Sequence, residues 1–226
     1  MISGNKICIS CGDHDLTGNI IQLELARTPD APAGSRGISL FVVPKYLVDD
    51  NGIPGEPNDM GCVSIEHKLG IHASPTAVLS YGDNGGAKGW IVGEENRGLE
   101  YMFVMMNRAR FEVATQGVGV SERACQAAIA YAHDRIQGQP FNREKGTPIV
   151  GHSDVRRMLL MMKCQTEATR ALTLFGSKCR DGAHRHADAT ERAKYDRMAQ
   201  FLTPIIKGYA SEASVETASL GVQVHG

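Results

Sequence analysis

Residues 107–112, N-R-A-R-F-E, place two guanidinium groups, an amide and a carboxylate within about two helical turns of an apolar-striped segment. Arg110 falls inside the stripe itself. A charge buried there needs an acceptor, so binding or ion pairing is expected of it rather than plain packing. Cys8 and Cys11 form a C-x-x-C, a spacing compatible with zinc or a redox pair. K-I-C-I-S reads as a strand, however, where positions three apart face opposite ways. No second C-x-x-C or ligand-spaced histidine pair completes a zinc set. The six cysteines are therefore expected as reduced structural thiols, with no metal site. His184 and His186, in D-G-A-H-R-H-A-D, are expected as a solvated pair in a polar loop between helices. Arg135 closes a helical pattern, where a cation complements the helix dipole. G-V-G-V-S-E at Gly117 follows a helix rather than a strand and is no dinucleotide fingerprint; its small residues permit close helix contact.

The elements that must position these groups change character near residue 95. Before it, K-I-C-I-S, I-I-Q-L-E-L-A, G-I-S-L-F-V-V, C-V-S-I-E-H, A-V-L-S-Y-G and W-I-V-G are short β-branched or apolar runs punctuated by Gly, Pro, Asp and Asn. They imply an antiparallel sheet or partial barrel. Residues 44–59 read as a long surface excursion, and D-N-G-G-A-K-G as a turn. After Asn96, an N-cap candidate, apolar residues recur at three- and four-residue steps. The first helical stripe carries Leu99, Met102, Phe103, Met106, Arg110, Val113, Gly117 and Val120. A second helix is expected from about Ser153 to Arg180, with Val155, Met158, Leu159, Met162, Thr169 and Leu172 on one stripe. A third starts near Ala189. The methionines of these faces (Met105, Met106, Met158, Met161, Met162) are expected in a helix–helix core. Strands first and long antiparallel helices second make an α+β chain, with residues 1–95 a β domain and 96–226 a helical one.

At 226 residues and 42% hydrophobic, the chain can bury a sizeable core. A net charge of −1 leaves no electrostatic footprint for nucleic acid or an anionic membrane. No apolar run approaches the ~20 residues of a membrane span, and M-I-S-G-N-K-I-C-I-S lacks signal-peptide architecture. A cytoplasmic location is expected.

K-L-G-I-H-A-S-P-T, G-E-E-N-R-G-L and M-N-R-A-R, together with G-D-H-D-L-T and G-I-S-L-F-V-V-P-K, occur in the order and spacing of the flavin-dependent acyl-CoA dehydrogenases. The chain resembles the central region of that family. The resemblance implies a partial middle β domain followed by the first three helices of an incomplete four-helix bundle. It also implies FAD as cofactor, an acyl-CoA substrate, electron-transfer flavoprotein or a similar acceptor as partner, and a homodimer or tetramer. Through it, Cys8, Ile9 and Ser10 match the strand that holds the flavin ring, with Cys8 replacing the usual aromatic residue. Arg135 and Gln137 match the helix end that reaches the FAD pyrophosphate of a neighbouring subunit. His152 and Ser153 match the start of the next helix beside the cofactor, and Gln223 and Gly226 the contact with its adenine side. Asn107 and Arg110 match the substrate-side turn, usually D-x-x-R.

The family reaction removes the α-proton of a thioester and transfers the β-hydride to flavin. In relatives the base is a glutamate just past the glycines matched by Gly226, or it sits where Ala109 stands here. Alanine cannot serve, and Glu112 lies roughly 300° round the helix from it. The resemblance therefore assigns no catalytic residue here and places the base beyond residue 226. The chain alone is expected to be inactive, to hold FAD weakly and to associate through its open apolar stripe. The alternative is a non-catalytic oligomerisation or partner-binding module on the same scaffold.

Overall fold

The structure, a computed structural model, describes residues 1–226 and is an α+β chain. It divides into two compact units, Met1–Val104 and Met105–Gly226.

In the first unit, strands β1 (Gly4–Ser10), β7 (Thr76–Tyr81) and β6 (Met60–Ile65) form one antiparallel sheet with β7 in the middle. Strands β2 (Ile21–Ala26), β3 (Ser39–Pro44) and β8 (Trp90–Val92) form a second. Central β7 is largely buried; its Ala77, Leu79 and Tyr81 join Val43 and Ala87 in one core cluster. The excursion at 44–59 is no open loop. It contains a hairpin of β4 (Tyr46–Val48) and β5 (Pro54–Pro57). Asn58, just past it, is buried: its amide donates to the Pro44 and Lys88 carbonyls at 2.9 Å and accepts from the Lys88 N–H. A fully bonded amide is what makes that burial tolerable. The β2–β3 connection is stapled by Arg27, whose guanidinium donates to the Pro32 and Gly34 carbonyls.

Edge strands β1 and β2 do not pair; side chains link them. Lys6 Nζ donates to the Leu25 carbonyl at 2.6 Å, and Gln22 Nε2 to that of Gly12 at 2.9 Å. Beside them Glu24, only 4% exposed, accepts from the Tyr81 hydroxyl at 2.6 Å and lies 3.8 Å from Lys6 Nζ. Burial first, then the hydrogen bond to Glu24 and its charge, push the Tyr81 pKa well above the ordinary 10.0. The folded state thus holds this proton more tightly than the unfolded chain. Its contribution to stability is whole below about pH 10 and is lost as pH rises beyond that value. Urea unfolding between about pH 9 and 11 is expected to show this alkaline loss, and Tyr81→Phe to flatten it. The same substitution should cost about 1–3 kcal/mol at neutral pH, because Glu24 loses its donor.

The second unit is built on α1 (Gly98–Asp134), which begins at the end of the first, with α2 (Ser153–Arg185) and α3 (Ala189–His225). One cluster joins Cys125, Ala128 and Ala132 of α1 to Met158, Leu159 and Met162 of α2 and Val224 of α3. The other joins Phe111 and Ala114 to Cys179, Ala199, Leu202, Ile206 and Ala210. Threonines complete the α2 face: Thr166, Thr169 and Thr173 are buried, each donating to the carbonyl four residues back. That back-bonding removes the cost of an unpaired hydroxyl. No helix is long and apolar enough to cross a membrane.

Several expectations are corrected. The buried face of α1 is Phe111, Ala114, Gly117, Ser121, Cys125, Ala128 and Ala132, whereas Phe103, Met106 and Val120 are exposed. Small residues occupy the contact because the helices approach closely. Met158 and Met162 are core, but Met105, Met106 and Met161 are not. Asn96 has φ 64° and lies two residues before α1, donating its N–H to Ser39 Oγ, so it is a left-handed turn residue and not the cap. Helix α2 runs five residues past Arg180, so His184 lies in its last turn, while His186 is its C-cap and accepts from the Asp188 N–H. Asp188 then caps α3, accepting from Thr190 and Glu191, and these backbone donors hold its carboxyl below the usual range. Among the thiols only Cys125 and Cys179 are buried; Cys8, Cys11 and Cys164 are exposed.

Candidate functional site

The end of α1 and the starts and ends of its neighbours converge on a cavity of about 480 Å³. Arg135 follows the last residue of α1, and its backbone is pinned from both sides. Its N–H donates to the Tyr131 carbonyl and its carbonyl accepts from Ile149, each at 2.8 Å. A bridge between Ile136 and Pro148 closes the loop that follows. The Arg135 guanidinium is left exposed, with no carboxylate partner.

His152 caps α2 through its backbone, and its Nε2 lies 3.0 Å from the Gln137 carbonyl. A carbonyl only accepts, so Nε2 carries the proton. From α3 comes His225, whose Nδ1 likewise donates to the Gly221 carbonyl at 2.7 Å and whose ring stacks on Tyr131 at 4.4 Å. Gly226, at φ +96°, ends the helix with its N–H on the Val222 carbonyl and open space where a Cβ would stand. Ile149, Val155 and Val224 supply apolar wall. The cavity thus offers an exposed cation and a stacked aromatic pair. That is a donor set for an anion joined to a flat ring system.

Arg135, Gln137, His152 and Gly226 are brought onto this cavity from three separated segments. Ser153 is the first residue of α2 and faces a neighbouring cavity instead, and Gln223 is exposed on the last turn of α3 outside both. Tyr131 and His225 were not picked out from sequence. The signal was there for Tyr131, which stands one turn before Arg135 on the same helix face.

On α1 itself, Arg110 Nη1 donates to Asn107 Oδ1 at 3.1 Å, so the half-buried guanidinium has an acceptor within its own turn. Ala109 carries no proton acceptor. Glu112 is bound to Arg108 Nε at 3.1 Å, both exposed. In the first unit, Cys8 sits in a bulge of β1 at φ 60°, with its side chain exposed. Ile9 opposite Ala77 packs on the core, and Ser10 ends the strand, exposed, opposite Thr76.

This architecture defines a strand-then-helix protein with a nucleotide-sized cavity at one end of its helices. The family model described as "Acyl-CoA dehydrogenase, C-terminal domain" matches residues 96–226, and the chain belongs to the acyl-CoA dehydrogenase family. Over its whole length it is 54% identical to 3-methylmercaptopropionyl-CoA dehydrogenase of Ruegeria pomeroyi, covering 38% of that protein. It is 40% identical to a butyryl-CoA dehydrogenase of Syntrophomonas wolfei, again covering all of this chain and 38% of the relative. The chain therefore spans 38% of the length of these curated relatives. Among solved structures, Caenorhabditis elegans ACDH-11 in complex with C11-CoA matches with a TM-score of 0.73 and 26% identity over 91% of this chain and 32% of that one.

Proposed function

We propose that this chain contributes cofactor and substrate contacts to an FAD-dependent enzyme that converts an acyl-CoA thioester to the trans-2-enoyl-CoA. The observation carrying this is the cavity that gathers Arg135, Gln137, His152 and Gly226. Its residues suit the adenine and pyrophosphate end of FAD. Arg135 would pair with the diphosphate through forked donors, and the Tyr131–His225 stack would face the adenine. When bound, FAD supplies the hydride acceptor for the β-carbon. Within the first unit, Cys8, Ile9 and Ser10 would contact a flavin ring by the same family resemblance, Ile9 through its backbone and Ser10 through its exposed hydroxyl. Asn107 holds Arg110 in place to orient the thioester's acyl-CoA.

The carboxylate that takes the α-proton is not among these residues. Ala109 offers none, and Glu112 is tied to Arg108. With FAD, an acyl-CoA and an artificial electron acceptor, the 226-residue chain is expected to show no turnover. FAD-dependent product formation by the chain alone would overturn the assignment of the base.

Electrons would pass to electron-transfer flavoprotein or a similar acceptor. Met198, Phe201, Ile205 and Tyr209 lie exposed along one face of α3, and this favours a homo-oligomer.

A further inference from the structure

The turn of α1 that carries Asn107 and Arg110 has no buried residue of its own. From Leu99 to Arg110 every side chain keeps some exposure, and Phe111, 6% exposed, is the first deep anchor. It belongs to the cluster of Ala114, Cys179 and Ile206. Two residues of α2, four apart and so on one helix face, are fitted to its ring. Gly176 admits the ring edge, since a Cβ there would stand 2.9 Å from Phe111 Cε1. Glycine inside a helix costs about 1 kcal/mol relative to alanine, and the close approach of the ring offsets that loss. Arg180, one turn further on, is half-buried, with its guanidinium carbon 4.8 Å from the ring centroid. A cation over an aromatic face is attracted by the ring quadrupole, the more so when partly desolvated. The Phe111 ring is thus met at its edge by Gly176 and on its face by a charge.

We infer that Arg180 is a positioning residue for Arg110: by clamping the Phe111 ring, it fixes the α1 turn that presents Arg110 to the acyl-CoA. Phe111 follows Arg110 directly, and a helix is rigid over one turn, so rotation or sliding at Phe111 carries Arg110 with it. The Asn107 Oδ1 acceptor, 3.1 Å from Arg110 Nη1, sits on the same turn and moves as part of it. It therefore orients the guanidinium relative to α1 but not relative to the rest of the bundle. The contact with α2 supplies that second constraint. The inference rests on the substrate reading of Asn107 and Arg110 given above, and adds to it a residue from another helix.

The test combines amide hydrogen exchange along α1 with calorimetric titration of the full chain with butyryl-CoA and with FAD. Arg180→Met keeps the length of the side chain and removes its charge. It should speed exchange at residues 107–111 several-fold and leave residues 125–132 unchanged. It should weaken butyryl-CoA by about fivefold, the strength of one partly desolvated cation–π contact, and leave FAD unchanged. Arg180→Lys, which keeps a cation over the ring, should recover most of both effects. Arg110→Gln alone should weaken butyryl-CoA by about tenfold, and adding Arg180→Met should cost nothing more, because residue 180 acts through residue 110. A further fivefold loss in the double variant would mean that Arg180 touches the ligand itself, and would overturn the inference. An equal loss for FAD would make the effect one of general stability, with the same consequence. Unchanged butyryl-CoA affinity in Arg180→Met would overturn the inference and leave the substrate reading standing. Failure of the wild-type chain to bind butyryl-CoA would instead remove the substrate reading, and the inference with it.

Discussion

Gly117→Val is expected to destabilise the helical unit by about 3 kcal/mol, at the upper end of overpacking costs. A Cβ at Gly117 would stand 2.7 Å from the Ala210 carbonyl oxygen and 3.1 Å from its carbon. Those atoms belong to the backbone of α3, so no rotamer change relieves the clash and the two helices must part. Separation would loosen the cluster of Phe111, Ala114, Ile206 and Ala210 on either side. Gly119 supplies the control: two residues on, a Cβ there meets nothing within 4 Å. Gly119→Ala should stabilise by about 0.5–1 kcal/mol, through helix propensity alone. Urea unfolding of the two variants should therefore move in opposite directions.

The second large effect concerns ligand binding. Arg135→Gln is expected to weaken FAD at least about tenfold, the loss of a charge-assisted contact to the diphosphate. Arg135→Lys should fall between, since an ammonium keeps the charge but not the fork. The guanidinium is exposed and unpaired, and the backbone is pinned by Tyr131 and Ile149, so circular dichroism should not change. Flavin fluorescence titration reads both substitutions.

How far the sequence could be read depended on the kind of signal. Periodicity placed the start of α3 near Ala189, and the structure carries that helix through Pro204 over 37 residues. Polarity misled at the end of α2, where D-G-A-H-R looks like loop. The helix continues there because Gly182 lets the Tyr195 ring approach to where a Cβ would be 2.6 Å away. Hydropathy also misplaced the inner face of α1. It favoured Phe103, Met106 and Val120, which are exposed, whereas Gly117 and Ser121, read from their smallness as permitting close helix contact, are buried together with Ala128. The site divides in the same way. Motif order pointed to Arg135, Gln137, His152 and Gly226, while their meeting on one cavity is a product of packing between α1, α2 and α3.

The most direct measurement is a titration of the purified chain with FAD beside flavin mononucleotide, which lacks the adenosine half. The account predicts saturable binding of FAD and clearly weaker binding of the mononucleotide, because the cavity at Arg135 is proposed to take the diphosphate and adenine. Equal affinity for the two, or no saturation with FAD, would contradict it.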